Sequence, residues 1–189
     1  PIRATQIAVM KRMVIRLESR RMLESNPGTV KYPTACARKL VAKYAAAEPR
    51  GPEGARLCCA LDQRDLEAAL ALLAEQYWNL EIPRATLARA LLRSSAWVGA
   101  HDAAGRLIAT ARAVSDGGRF AYLLDVAVDP AWQGRGLGTA VVRLLLDHPA
   151  VRGARVLRLR TRDRPEFYAR LGFVPQPATS SHDMQRGPT

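Results

Sequence analysis

Residues 133–138 read Gln-Gly-Arg-Gly-Leu-Gly, between an apolar run, LLDVAVDPAW, and an amphipathic one, TAVVRLLLDH. Glycine weakens regular structure and is useful where backbone must approach another group closely. A strand, a glycine-rich turn and a helix in succession suit a phosphate. The first helical turn leaves N–H groups without partners and carries the positive end of the helix dipole. Without Cβ atoms in the way, a diphosphate can lie directly on those groups. Spelling excludes two familiar phosphate loops. A P-loop needs Lys and then Ser or Thr after the last glycine, whereas Gly138 is followed by Thr139 and Ala140. A dinucleotide fingerprint needs glycine where Thr139 stands, and no suitable acid follows about twenty residues on. On spelling alone, a tight turn with no ligand fits the hexapeptide equally.

Other chemistries are poorly served. The three cysteines, Cys36, Cys58 and Cys59, give neither a disulfide framework nor metal-ligand spacing, and they point to a reducing cytoplasm. His101, His148 and His182 are scattered, so no metal is expected. The 189 residues suggest one domain with an appendage, and 48% hydrophobic residues suffice for a core. No run of about 18 apolar residues proposes a membrane span. Lys11 and Arg12 interrupt the early apolar stretch, which argues against a secretory signal. The net charge of +12 is concentrated early: residues 1–56 hold 12 Lys plus Arg against 4 acids. Such a balance can attract polyanions. No basic stripe interleaves with aromatics, however, and this argues against nucleic acid as a partner.

The elements that must position the loop can be read from periodicity and turn residues. Pro and Gly in PRGPEGAR mark a boundary near 49–56. Before it, residues 1–50 are expected to form a basic N-terminal arm, helical or partly disordered. Pro1 in place of Met is what a processed or incomplete chain would show. Residues 51–189 are expected to form the principal domain. LCCAL reads as a strand, and Asp62 or Asp65 caps a helix with Leu66, Leu70, Leu73 and Tyr77 on one face. Pro83 opens a second helix. AWVGAHD and RLIATARAV form a hairpin around Gly105, and SDGG leads into the strand RFAYLLDVAVD. After the glycine loop, a helix carries Val141, Leu144 and Leu145 and stops at Pro149. ARVLRLRT reads as a strand, PEFYARL as a short helix ended by Gly172, and FVPQP as a last strand with DMQR as an optional edge. The fold class is therefore α/β of the mixed α+β kind, a central mixed sheet flanked by helices.

Two stretches in this order carry a family resemblance. LLDVAVDPAWQGRGLGTAVVRLLL holds the pattern Q/R-x-x-G-x-G/A at Gln133–Gly138, and EFYARLGFVP follows about thirty residues later. Together they resemble the GCN5-related N-acetyltransferase (GNAT) superfamily over residues 57–186. The resemblance implies the acyl-CoA N-acyltransferase fold and acetyl-CoA as cosubstrate, without a metal. It implies that the backbone N–H groups of Gln133, Gly134, Arg135, Gly136, Leu137, Gly138 and Thr139 hold the CoA pyrophosphate. Val126, Ala127 and Val128 would pair with the pantetheine arm where their strand splays from ARVLRLRT, and an N–H near Val128 would polarise the thioester carbonyl. Tyr168 matches the tyrosine that protonates the departing CoA thiolate. A phenol, with an ordinary pKa of ~10, stays protonated near neutrality and suits that task.

The remaining site residues follow from the reaction. An ammonium acceptor must lose a proton before attacking, and Asp125, out of phase with Val126 and Val128, is the candidate base. An ion pair with Arg112 or Arg158 is the alternative for it. The loop after the first helix would shape the acceptor pocket, with Tyr77 and Trp78 flanking an amine and Glu81 holding its charge. Arg135 is either a phosphate contact or simply solvated. The expected activity is acetyl transfer from acetyl-CoA to a primary amine of a small molecule or peptide, by direct attack in a ternary complex. The alternatives are a non-catalytic acyl-CoA-binding module, or an acetyltransferase acting on a nucleic-acid- or ribosome-associated protein. A short C-terminal strand leaves room for a partner subunit, so a homodimer is a further expectation.

Overall fold

The computed structural model describes residues 49–175. The expected arm lies outside them except for Pro49 and Arg50. The chain divides after Arg158 into two compact units. In the first, Pro52–Gly54 form a single 3-10 turn closed by Ala55 N–H donating to the Pro52 carbonyl, and Arg50 bridges Arg56. The Pro- and Gly-rich stretch is thus a folded turn that feeds the first strand. The strands are β1 (Arg56–Cys58), β2 (Ala96–His101), β3 (Leu107–Ser115), β4 (Phe120–Val128) and β5 (Val156–Arg158). The helices of this unit are α1 (Gln63–Ala74), α2 (Arg84–Leu92) and α3 (Leu137–Asp147).

The five strands lie in the order β1-β2-β3-β4-β5, antiparallel through β4 and parallel between β4 and β5. This is the mixed sheet the element order implied. All six residues of β2 are buried, which a strand achieves when helices cover both faces. On one face, Leu66, Leu70 and Leu73 of α1 and Leu87 and Leu91 of α2 pack with Trp97, Leu107 and Ala127. Asp62 caps α1, its side chain accepting from Asp65 N–H at 2.8 Å. α3 buries Leu137, Ala140, Val141, Val142 and Leu145 and packs on β2, β3 and β4. Its apolar stripe recurs at helical spacing, and burying it is what holds the helix to the sheet.

Two local features shape the sheet. A Cβ at Gly99 would stand 2.3 Å from the Trp97 ring and 2.8 Å from Leu107, so only glycine passes beneath the indole. Trp97 is held there by its Nε1–H donating to Thr110 Oγ1 at 2.8 Å. The second is a bulge. Between the pairs Arg112↔Leu124 and Thr110↔Ala127, β3 contributes Ala111 alone while β4 contributes Asp125 and Val126. Asp125 absorbs the extra residue at φ 52°, a left-handed conformation that Asp tolerates better than most side chains. Such a bulge bends its strand.

In the second unit, α4 (Pro165–Ala169) is closed by Gly172 at φ 89°. Gly172 N–H donates to the Ala169 carbonyl and Phe173 N–H to the Tyr168 carbonyl. This is the helix ending expected from PEFYARLG. The last expected strand is corrected: Phe173–Pro175 form none. The Phe173 N–H is already spent on closing the helix, and Pro175 has none to give to a ladder. The rest of FVPQP, and DMQR, lie outside the described residues.

Candidate functional site

The site begins where β4 ends. Asp129 N–H donates to the Ile108 carbonyl at 2.8 Å, and the Asp129 side chain accepts from Ala131 N–H at 2.9 Å, capping a 3-10 turn over Pro130–Trp132. Its other oxygen is 2.8 Å from Arg106 Nη1. Gln133 Nε2 donates to the Val128 carbonyl at 3.1 Å, tying the loop to the strand it leaves. Gly134 (φ 75°) and Gly136 (φ 83°) then make the left-handed turns that bring the chain into α3, with Gly136 as N-cap. No side chain caps this helix. The backbone N–H of Gln133, expected to join the anion-binding set, is corrected: it donates to the Pro130 carbonyl at 3.4 Å and closes the 3-10 turn. Among the described residues, the backbone N–H groups from Gly134 to Thr139 have no acceptor. They form the unshared donor set an anion would need. Arg135 lies over the Trp132 ring at 5.1 Å and stands 4.0 Å from Glu53, so it is neither simply solvated nor committed to a strong pair. Pro52 lies 3.5 Å from the position a Gly136 Cβ would take, so the turn before β1 flanks the loop.

The edge of β4 supplies the second part. β4 pairs with β5 only over Phe120–Tyr122. From Leu123 to Val128 its β5-facing edge has no strand partner among the described residues. Alternate N–H and C=O groups there are available to an extended ligand running into the glycine loop, and Val126, Ala127 and Val128 are on this edge. The bulge at Asp125–Val126 lies within this free segment.

Asp125 is buried, and its carboxylate is fully engaged. Oδ2 accepts from Arg112 Nε at 2.5 Å, and Oδ1 accepts from Trp78 Nε1 at 3.1 Å and Asn79 Nδ2 at 3.4 Å. The ion pair with Arg112 is one of the two roles left open by the sequence. Asn79 also donates to the Leu73 carbonyl at 3.3 Å, so the end of α1, the loop after it and β4 meet at one carboxylate. The structure thus brings Trp78 to β4, with Tyr77 edge-on to it at 4.9 Å. Glu81 is exposed on the same loop. Asn79 stood among the loop residues without an assigned part. A lone Asn gives no sequence signal of that kind, because its partner lies 46 residues away.

Tyr168 belongs to the second unit. There its ring meets Phe167 edge-on at 4.8 Å and Phe173 at 6.0 Å. A further polar cluster in the first unit escaped sequence reasoning. His101 Nε2 is 2.7 Å from Asp65 Oδ1, and Cys58 Sγ is 3.7 Å from His101 Nδ1 and 3.9 Å from Asp65 Oδ2. These residues come from β2, α1 and β1 and tie the first turn of α1 to the sheet edge. Their positions, 58, 65 and 101, follow no motif.

With this geometry established, comparison with known proteins is informative. Residues 64–173 match the acetyltransferase (GNAT) family. A glucosamine 6-phosphate N-acetyltransferase from Oryza sativa is 39% identical over 85 residues, 44% of this chain and 52% of that protein. A chloroplastic serotonin N-acetyltransferase from the same species is 42% identical over 98 residues, 48% of each chain. The chain therefore spans about half the length of these curated relatives. A solved acetyltransferase structure of the same family from Xanthomonas campestris superposes with a TM-score of 0.61 at 34% identity, covering 69% of this chain and 92% of that one.

Proposed function

The chain belongs to the acetyltransferase (GNAT) family, and from that premise we propose that it transfers an acetyl group from acetyl-CoA to a primary amine. The observation that carries this reading is the continuity of two unshared donor sets. The free edge of β4 from Leu123 to Val128 is followed, after the turn over Pro130–Trp132, by the unpaired N–H groups from Gly134 to Thr139. An extended pantetheine arm would pair with the first, and its pyrophosphate would sit on the second, at the dipole of α3. The two relatives act, by name, on a sugar amine and an arylalkylamine, and both acceptors are primary amines.

The proposed chemistry combines the β4 edge with what the family resemblance implies for Tyr168. The amine, in its neutral form, attacks the thioester carbonyl, and backbone N–H groups of β4 stabilise the developing oxyanion. The tetrahedral intermediate collapses with loss of CoA thiolate. Tyr168 protonates the thiolate, as the family resemblance implies, and the proton released by the acylated nitrogen returns through water to the phenolate. Asp125 is best read as a positioning residue. Three donors already occupy its carboxylate, and it fixes the acceptor loop to β4 beside Val126. The test is thiol release from acetyl-CoA against a panel of primary amines, with mass spectrometry of the product. Tyr168→Phe should lower kcat by about 10²-fold or more while leaving CoA affinity within about twofold. A full-rate variant would remove Tyr168 from the acid role, and no N-acetylated product from any amine would overturn the reading itself.

A further inference from the structure

We propose that the acceptor is a cationic arylalkylamine and not an anionic sugar amine, an inference that rests on the acetyl-transfer reading above. Trp78 cannot turn freely, because its indole N–H is bound to Asp125 one residue from Val126 on the free β4 edge. Tyr77 stands perpendicular to it, with centroids 4.9 Å apart. Both rings remain partly open to solvent, Tyr77 by 37% and Trp78 by 39%, and Leu80 and Ile82 beside them are exposed by 69% and 43%. A fixed aromatic corner with aliphatic flanks, held near the strand edge assigned to the thioester, suits a planar apolar body.

Charge decides between acceptor classes. Residues 75–83 read EQYWNLEIP and contain two acids, Glu75 and Glu81, both exposed, and no Lys or Arg. Two arginines linked to this region are already paired. Arg112 is neutralised by Asp125 at 2.5 Å, and Arg84 pairs with Glu67. A phosphate bound at this loop would add to the negative charge of Glu75 and Glu81, whereas an ammonium would offset it and suit the aromatic faces. The acid pair and the aromatic pair therefore select the same ligand: an aromatic ring on a short chain ending in a protonated amine.

The experiment compares 2-phenylethylamine, a short aliphatic amine and glucosamine 6-phosphate as acceptors for the full chain. kcat/KM should favour 2-phenylethylamine over glucosamine 6-phosphate by at least tenfold. Trp78→Ala frees the loop from Asp125 and should lower kcat/KM severalfold for both amines, but by about tenfold more for 2-phenylethylamine than for the aliphatic amine. Glu81→Gln, at an exposed position that the fold does not need, should raise KM for 2-phenylethylamine and leave acetyl-CoA affinity unchanged. A second arm needs no turnover. In the presence of CoA, 2-phenylethylamine should perturb tryptophan fluorescence saturably in the parent and not in Trp78→Phe. Preference for glucosamine 6-phosphate, equal losses with both amines in Trp78→Ala, or no saturable fluorescence change would overturn the acceptor assignment. Saturable binding without transfer to any amine would instead overturn the acetyltransferase reading beneath it.

Discussion

At the scale of single residues, position in the fold decides what each titratable group can do. Three donors hold the carboxylate of Asp125, which supports the proposed positioning role. Asp125→Asn keeps a side chain that tolerates the left-handed backbone at φ 52° but loses the charge facing Arg112. It should raise the acceptor KM severalfold and leave the shape of the pH–rate profile unchanged, whereas loss of a general base would remove its acidic limb. Steady-state kinetics across pH separates the two. His148 responds to burial, and more weakly to the Arg152 cation, which together push its pKa from 6.5 down to about 4. The unfolded chain takes up this proton near pH 6.5 and the folded chain only near pH 4. Its contribution to stability is therefore complete above pH 6.5 and is lost as pH falls toward 4. His148→Gln should remove up to about 3 kcal/mol of the stability difference between pH 7 and pH 4, measured by denaturant unfolding at both values. Burial, aided by the neighbouring Cys58, pushes the Cys59 thiol up to about 12. Iodoacetamide at pH 8 should leave Cys59 unmodified in the folded chain and alkylate it after unfolding.

At the scale of elements, the sheet, its hairpins and its covering helices were legible in the sequence because their signals are local. Asp62 capped its helix, Gly105 turned its hairpin, and Gly172 closed the helix that carries Tyr168. Two features were not legible. The bulge at Asp125–Val126 is a mismatch of one residue between strands and leaves no mark in either strand alone. The Trp78–Asp125–Arg112 junction joins three separate stretches, and periodicity does not report such contacts. The expected strand after Gly172 failed for the complementary reason: apolar residues suggested it, but the hydrogen-bonding groups of Phe173 and Pro175 were already spent or missing. Element packing also makes a direct prediction at Gly99. Gly99→Ala would drive a methyl into the buried Trp97 ring, which is held by Thr110, and should cost about 1–3 kcal/mol, read as a lower thermal midpoint.

At the scale of the whole molecule, the proposed site lies at one end of the sheet. The folded turn before β1, the end of β4 and the start of α3 converge there, through the approach of Pro52 to Gly136 and of Glu53 to Arg135. The family match from residue 64 to 173 includes the end of β4, the glycine loop and the helix bearing Tyr168, but not the turn before β1. The spelling of QGRGLG excluded the commoner nucleotide loops, and the unpaired β4 edge beside it supports the proposal of a thioester-bearing arm. No helix among the described residues is long and apolar enough to cross a membrane. In the proposed complex, acetyl-CoA lies along β4 with its pyrophosphate on the glycine loop. Calorimetric titration of acetyl-CoA into the parent chain and into Gly136→Glu tests it most directly. Glutamate at φ 83° adds both a strained side chain and a negative charge where the diphosphate would sit. The account predicts saturable one-to-one binding to the parent, and at least a hundredfold weaker binding to a variant whose circular dichroism is unchanged. Equal affinity in a folded Gly136→Glu variant, or no binding to the parent, would contradict it.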